Sequence, residues 1–233
     1  MAVTCAKMAR GKMMRLTLLD ECGLVVEGPG STLVTKSFVS GTFTPNYLEA
    51  EEISIADADG EICVSDRSDP ARQWIDISLI ICTVDPTMIN LITGDPLVLD
   101  DATPTPNTVG FRIDTDLSGS ANFALELWSG VPGQACGVGG FTQYGYWLFP
   151  WVKDAQWGEW VIENGALTLT FTARAVIGSG WGVGPYLVRR DATVPATLEP
   201  LLTAIGDTDA MHFEVSSAPL PTPACGTVAL VIP

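Results

Sequence analysis

Carboxylates dominate the side chains of this chain that could take part in chemistry. Asp57, Asp59 and Glu61, with Asp66 further on, partly match the ligand spacing of a calcium-binding loop. A loop of the EF-hand type requires an acid at position 55, where Ile55 stands, and helices on both sides. The run is therefore better explained as a tight turn between two β-strands, and we expect no metal site there.

Two further acidic pairs, Asp100/Asp101 and Asp114/Asp116, offer the two carboxylates that a glycosidase uses. An acidic chain of this length contains such pairs by chance, so they argue only weakly for hydrolysis. The single histidine, His212, excludes metal sites that need two histidines, and it is more simply a strand residue than a catalytic base. We expect a protein that is not an enzyme and that has no cofactor.

A dense aromatic run lies between residues 144 and 160. Trp147 and Trp151 share one face at a period of two, and exposed tryptophans in such an arrangement, with Trp181, could stack against sugars. Apolar residues continue the run between them, which favours a core or a subunit interface instead. A carbohydrate-binding β-sandwich of a tail-tip or adhesion module therefore remains the alternative.

The most distinctive segment spans residues 46–69. Apolar residues are threaded through it, as they are not in a disordered acidic tail: Tyr47, Leu48, Ile53, Ile55, Ile62 and Val64. Its only base is Arg67, against eight carboxylates: Glu49, Glu51, Glu52, Asp57, Asp59, Glu61, Asp66 and Asp69. This pattern predicts an ordered, negative hairpin that turns at residues 57–60 and projects from a β-fold. Such a surface repels or guides an anion, or meets a basic partner.

Charge is distributed unevenly along the chain. The formal net charge is −15, from 27 acids and 12 bases, yet the first 15 residues contain no acid and four bases: Lys7, Arg10, Lys12 and Arg15. The acidic remainder lacks the clustered bases that bind nucleic acid. A basic N-terminal arm on an acidic body predicts contact between neighbouring copies. We expect no membrane span, no signal peptide, and reduced, mostly buried cysteines.

Local signals predict one clear helix. Asp85 is a natural N-cap, Pro86 suits the first helical position and Gly94 suits the C′ position, so a helix is expected over residues 85–94. A second short helix is predicted at residues 199–205. Strands are predicted at 15–20, 32–44, 73–84, 97–99, 109–114, 122–128, 144–152, 159–163, 167–175, 185–190, 211–215 and 227–232.

Regular short strands with Gly and Pro turns predict a mainly β fold, a sandwich or barrel flanked by the helix. Strand 73–84 is almost continuously apolar, so we expect both of its faces to be covered. We expect a single domain, 1–233, with an N-terminal arm at 1–15, a long acidic loop or hairpin at 41–69 and a C-terminal arm at 217–233. The final strand should dock on this subunit or on another.

The chain resembles the major tail proteins, or tail tube subunits, of long-tailed actinobacterial phages. The resemblance covers most of the chain, without a short diagnostic motif. It is carried by the strand-to-helix stretch at 73–94, by Ala124-Leu125-Glu126-Leu127-Trp128 and by the run at 144–151.

That resemblance implies a tail-tube fold whose subunits form hexameric rings. The rings stack helically into a virion tube that carries double-stranded DNA without binding it specifically, through a negative lumen. Implied partners are further copies, a tape-measure protein and tail-terminator or tail-tip proteins; assembly takes place in the host bacterial cytoplasm. Ring-to-ring contacts are expected at Lys7, Arg10, Lys12, Arg15, Tyr47, Glu49, Glu51, Glu52, Asp57 and Asp59.

Overall fold

Strands are the main secondary structure of the computed structural model, which describes residues 6–115, 121–132, 140–160, 162, 164–165 and 167–231. The strands are β1 Ala9–Leu19, β2 Gly28–Thr35, β3 Phe38–Leu48, β4 Glu52–Ala56, β5 Ile62–Arg67, β6 Ala71–Ile81, β7 Leu97–Leu99, β8 Thr108–Phe111, β9 Asn122–Gly130, β10 Tyr144–Trp157, β11 Leu169–Ala175, β12 Arg189–Arg190, β13 Leu198–Glu199, β14 His212–Ser216 and β15 Val228–Leu230. Within the described residues the single helix is α1, Pro86–Thr93. None of the described residues forms a helix that is long and apolar enough to cross a membrane.

One antiparallel sheet organises the molecule, in the order β15-β2-β1-β9-β10-β11-β6-β3, with β14 also paired to β10. The predicted strand at 32–44 is in fact two strands. The chain turns between them, where Ser37 N–H donates a hydrogen bond to Thr35 Oγ1 at 3.0 Å. Only Lys36 and Ser37 separate β2 from β3, yet these strands lie towards opposite ends of the order. The sheet must therefore curl until its ends meet, and Gly11 of β1 indeed lies against the Phe38 ring of β3.

The inside of the curl holds the larger core. Along β6, Ile75, Ile77 and Leu79 are buried while the residues between them are half-exposed. The prediction that both faces of this strand are covered is therefore wrong: the pattern is the alternation of a sheet with one face in water. Helix α1 closes the core with four buried side chains, Met88, Ile89, Leu91 and Ile92.

The helix begins and ends where the sequence predicts. Asp85 Oδ1 accepts hydrogen bonds from the N–H groups of Thr87 and Met88 at 3.0 and 3.3 Å. Gly94 takes the left-handed conformation, with φ of 80°, and donates its N–H to Asn90 O. Local capping is thus sufficient to define α1.

A long, mostly irregular segment, residues 176–211, covers the outer face of β1, β9 and the first half of β10. It contributes Trp181, Val188 and Leu201 to a second core against Trp128 and Tyr146. The predicted helix at 199–205 is wrong, because this part of the chain pairs briefly as β13 and then follows the sheet surface through bends. The strand predicted at 159–163 is also absent from the described residues of that range.

Both ends of the described chain depart from the predicted arms. Strand β1 begins at Ala9, so the N-terminal arm is shorter than 1–15. The C-terminal segment docks on its own subunit, where β15 pairs with β2. The cysteines that the structure describes are exposed rather than buried: Cys22, Cys63, Cys82 and Cys225.

Candidate interaction surfaces

A two-stranded ribbon, residues 44–72 and here called the acidic ribbon, projects from the sheet. β11 pairs with β6 only from Ile75 to Ile81, so the earlier residues of β6 pair with β3 alone. The two strands continue through Glu51 and Ser68 into the β4–β5 hairpin. At about 3.3 Å per residue, residues 44–56 extend for roughly 40 Å.

The tip of the ribbon confirms the predicted hairpin turn. Asp57 Oδ1 accepts hydrogen bonds from the N–H groups of Asp59 and Glu61, both at 3.0 Å, and Gly60 supplies the positive φ of 84°. This carboxylate is thus occupied by the turn, as the turn interpretation requires. No group of metal-ligating side chains occurs among the described residues.

One face of the hairpin is apolar and lies in water. The register places Ile55 opposite Val64, and Ile53 lies two residues from Ile55 on the same face, where it stands opposite Asp66. Ile62 pairs with Ala56 beyond an irregularity, beside the turn. The side chains of Ile55, Val64, Ile53 and Ile62 are exposed to 56, 50, 47 and 66%, respectively. A two-stranded hairpin is marginal by itself in water, so this face is the strongest sign of an intermolecular contact.

The predicted contact residues of the ribbon are all exposed. They are Tyr47, Glu49, Glu51, Glu52, Asp57 and Asp59. Arg67 stands opposite Glu52, and the guanidinium of Arg72 lies 5.6 Å from the Tyr47 ring centroid. The ribbon therefore combines an apolar stripe with an acidic margin.

The predicted basic contacts divide into two groups. Lys7, Arg10 and Lys12 are exposed. Arg15 is 7% exposed and forms a two-pronged ion pair with Glu126, which is wholly buried. The expectation that Arg15 meets a neighbouring copy is corrected, because its guanidinium is already satisfied inside the subunit. Burial disfavours the charged arginine, but the Glu126 carboxylate outweighs burial and raises the pKa of Arg15.

Buried polar groups surround this ion pair. Tyr146 donates its hydroxyl to Glu126 Oε1 at 2.6 Å, and burial followed by the Glu126 charge raises the pKa of Tyr146 well above its ordinary value. The Tyr186 ring lies 3.3 Å from the Arg15 guanidinium. The Tyr186 hydroxyl bridges two threonine hydroxyls, those of Thr17 and Thr32, at 2.8 and 2.9 Å. The cluster thus fastens the covering segment to the sheet.

A polar groove of about 540 Å³ opens on the uncovered sheet face formed by β3, β6, β11 and the end of β10. Arg174 lies 3.5 Å from Asp76 and 4.8 Å from the centroid of the Trp74 ring. Trp74 donates its indole N–H to Asp76 Oδ1 at 3.0 Å. Much of the remaining lining is hydroxyl and amide: Thr42, Thr44, Ser78, Gln156 and Thr172. The ion pair of Asp76 with Arg174 is balanced in charge, and Asp154 adds a further carboxylate to the lining.

The proposed sugar platform is not formed by the tryptophans that suggested it. Trp181 is 4% exposed. Trp147 is half-buried, donates to Ser129 Oγ at 3.0 Å and packs on Phe213. Trp151, also half-buried, donates to Asn122 Oδ1 at 3.1 Å.

The candidate catalytic residues serve local structure. Asp100 accepts hydrogen bonds from the backbone N–H groups of Ala102 and Asn107 and from the Asn107 amide, and these bonds, the amide's first, lower its pKa. His212 Nε2 faces a carboxylate, Glu214, at 3.5 Å. Asp114 N–H donates to the buried Asp95, and Asp116 lies outside the described residues.

No protein-family model matches the chain, and no curated protein shows significant sequence similarity to it.

Proposed function

We propose that this chain is the subunit of a phage tail tube. In this role it assembles into hexameric rings that stack into a conduit for double-stranded DNA. The observation that carries the proposal is the acidic ribbon, whose apolar face, centred on Ile55 and Val64, is left in water by the single subunit. A stacked assembly supplies the surface that covers this face.

A long unprotected sheet edge supports the same proposal. Strand β3 has 11 residues and has a hydrogen-bonded strand neighbour on one side only, β6. Monomeric proteins shorten or block such edges, and here Pro45 is the only proline in the strand. Pairing of this edge with the next subunit closes a ring and removes the edge.

The polar groove has the surface expected of a channel wall that a polyanion passes without binding. Its hydroxyl groups and its Asp76–Arg174 pair present no net positive charge, Asp154 adds a negative one, and the subunit is acidic as a whole. DNA binding depends on the neutralisation of phosphates by lysine and arginine side chains that are not already paired with acids. The proposed setting is the virion, with assembly on a tape-measure protein between tail-tip and terminator proteins in the bacterial cytoplasm.

Negative-stain electron microscopy of the purified chain at low and high concentration tests this function. We expect rings or hollow tubes at high concentration. Replacing Glu49, Glu51 and Glu52 with lysine should impair tube growth. A matched variant changes the same charge away from the ribbon, at three exposed acids: Glu21, Glu27 and Asp101.

Tubes formed equally by both triple variants would contradict a stacking role for the ribbon. Dispersed particles at every concentration, together with glycan binding that is lost in Trp74→Ala, would instead support the carbohydrate-binding alternative through the groove.

A further inference from the structure

Strand β15 is held at the edge of the sheet by few contacts. It pairs with β2 at two positions, Val228 opposite Thr32 and Leu230 opposite Gly28, with an irregularity between them. Leu230 is the only buried side chain of the strand, and Val228 is 42% exposed. Burial of one leucine opposes the entropy of ordering the whole segment, so this part of the fold opens more readily than the central strands.

A latch at the start of α1 holds the residues before β15. Asp85 Oδ2 accepts a hydrogen bond from Gly226 N–H at 2.8 Å, and Thr87 Oγ1 accepts one from Thr227 N–H at 3.0 Å. The other carboxylate oxygen, Asp85 Oδ1, caps the helix at the same time. The latch consists of hydrogen bonds alone, so releasing it removes no side chain from the core.

The connection to β15 is built to remain extended. Ala218 is buried, Leu220 packs on the second core, and Ala224 N–H donates to Val34 O at 3.0 Å. Between these points stand Pro219, Pro221 and Pro223. Proline restricts the backbone and lacks an N–H, so the connection neither collapses nor forms a strand of its own.

We propose that the edge of β2 is an exchange site for a second copy of this chain, whose C-terminal strand replaces β15. The strand already seated there shows what the edge accepts: an antiparallel segment with leucine opposite Gly28. Because the incoming strand is identical, it forms the same backbone and latch hydrogen bonds. The exchange therefore changes the free energy of these contacts little. This edge is distinct from β3, and the exchange does not depend on ring formation.

Disulfide trapping in full-length chains whose native cysteines are replaced with serine tests the exchange. Val228→Cys is mixed with Thr32→Cys and oxidised. We expect a cross-linked dimer at several-fold higher yield than from Ala229→Cys mixed with Thr32→Cys, because residue 229 faces away from residue 32. A single chain that carries both Val228→Cys and Thr32→Cys should close internally at low concentration, which shows that the two residues lie within disulfide distance.

Equal yields from the register pair and its control, with internal closure intact, would overturn the proposal. Hydrogen–deuterium exchange of the unaltered protein gives a second criterion that requires no substitution at Thr32. The amides of residues 226–230 should exchange far faster than those of β9. Protection equal to that of β9 would show that β15 leaves the edge only on global unfolding, and would equally overturn the exchange.

Discussion

Arg15 shows how far the environment of a residue can change its role. Its position in a basic N-terminal run suggests a surface contact, yet it lies in the second core with its charge matched by Glu126. Removing one partner of a buried pair leaves the other charge unpaired in a medium that solvates it poorly. The pair therefore matters to stability chiefly through the cost of breaking it.

Glu126→Ala should lower the free energy of unfolding by about 3–5 kcal/mol, because it leaves Arg15 buried and uncompensated. Urea denaturation measures the change. The matched control is Asp76→Ala, which breaks the exposed ion pair with Arg174 and should cost about 0–1 kcal/mol. Equal losses in the two variants would show that burial of the Arg15 pair has no special importance.

Asp191 is an acid whose titration reports a local turn. Thr193 Oγ1 donates to it at 2.6 Å and Thr197 N–H at 2.7 Å, and these bonds lower its pKa to about 2. A lowered folded pKa contributes stability that is complete above the unfolded value of 3.8 and is lost as pH falls towards 2. In Asp191→Asn, unfolding free energy should therefore fall less steeply than in the unaltered chain between pH 4 and 2. Parallel pH profiles would contradict this assignment.

At the scale of elements, α1 and β15 share one carboxylate. Asp85 caps the helix with one oxygen and holds Gly226 with the other, although the two residues are 141 positions apart. A substitution at the helix cap should consequently weaken the attachment of the C-terminal segment as well. The cap is predicted by the sequence, but the bond to Gly226 is visible only in the fold.

Asp85→Ala should lower stability by about 0.5–2 kcal/mol through loss of the cap. Hydrogen–deuterium exchange should also accelerate at residues 226–230, where the latch is released. Thr93→Ala serves as the control, because its hydroxyl bonds at the far end of α1, to Ile89 O and Asp95. Acceleration confined to α1 would refute the coupling between the helix cap and β15.

In the molecule as a whole, the projecting acidic ribbon carries a row of exposed apolar side chains. Replacing Ile53 and Ile55 with serine should leave the stability of the isolated subunit within about 0.5 kcal/mol, because both side chains are exposed. Assembly should nevertheless fail, since the proposed stacking buries the same side chains between copies. Light scattering at high concentration measures assembly, and Val194→Ser, at a residue 99% exposed elsewhere, is the control. Normal assembly of the Ile53/Ile55 variant would exclude the apolar face from the interface.

Sequence patterns predict the features that depend on neighbouring residues. Helix α1 is capped by Asp85 and Gly94 within its own turns, and the hairpin turns at Asp57 and Gly60, whose hydrogen bonds span four residues at most. The alternating pattern of Leu169–Ala175 likewise predicts β11 and its buried face. Such features are fixed by local hydrogen bonds and by the period of the strand.

Features that join distant parts of the chain depend on the tertiary structure. Arg15 is buried because Glu126 stands opposite it in β9, and the C-terminal strand docks because β2 offers an edge. Residues 199–205 follow the outer face of the sheet instead of forming a helix, and Leu201 and Ile205 are buried there. These outcomes depend on strand register and on which sheet face is covered, and neither is specified by short-range sequence patterns.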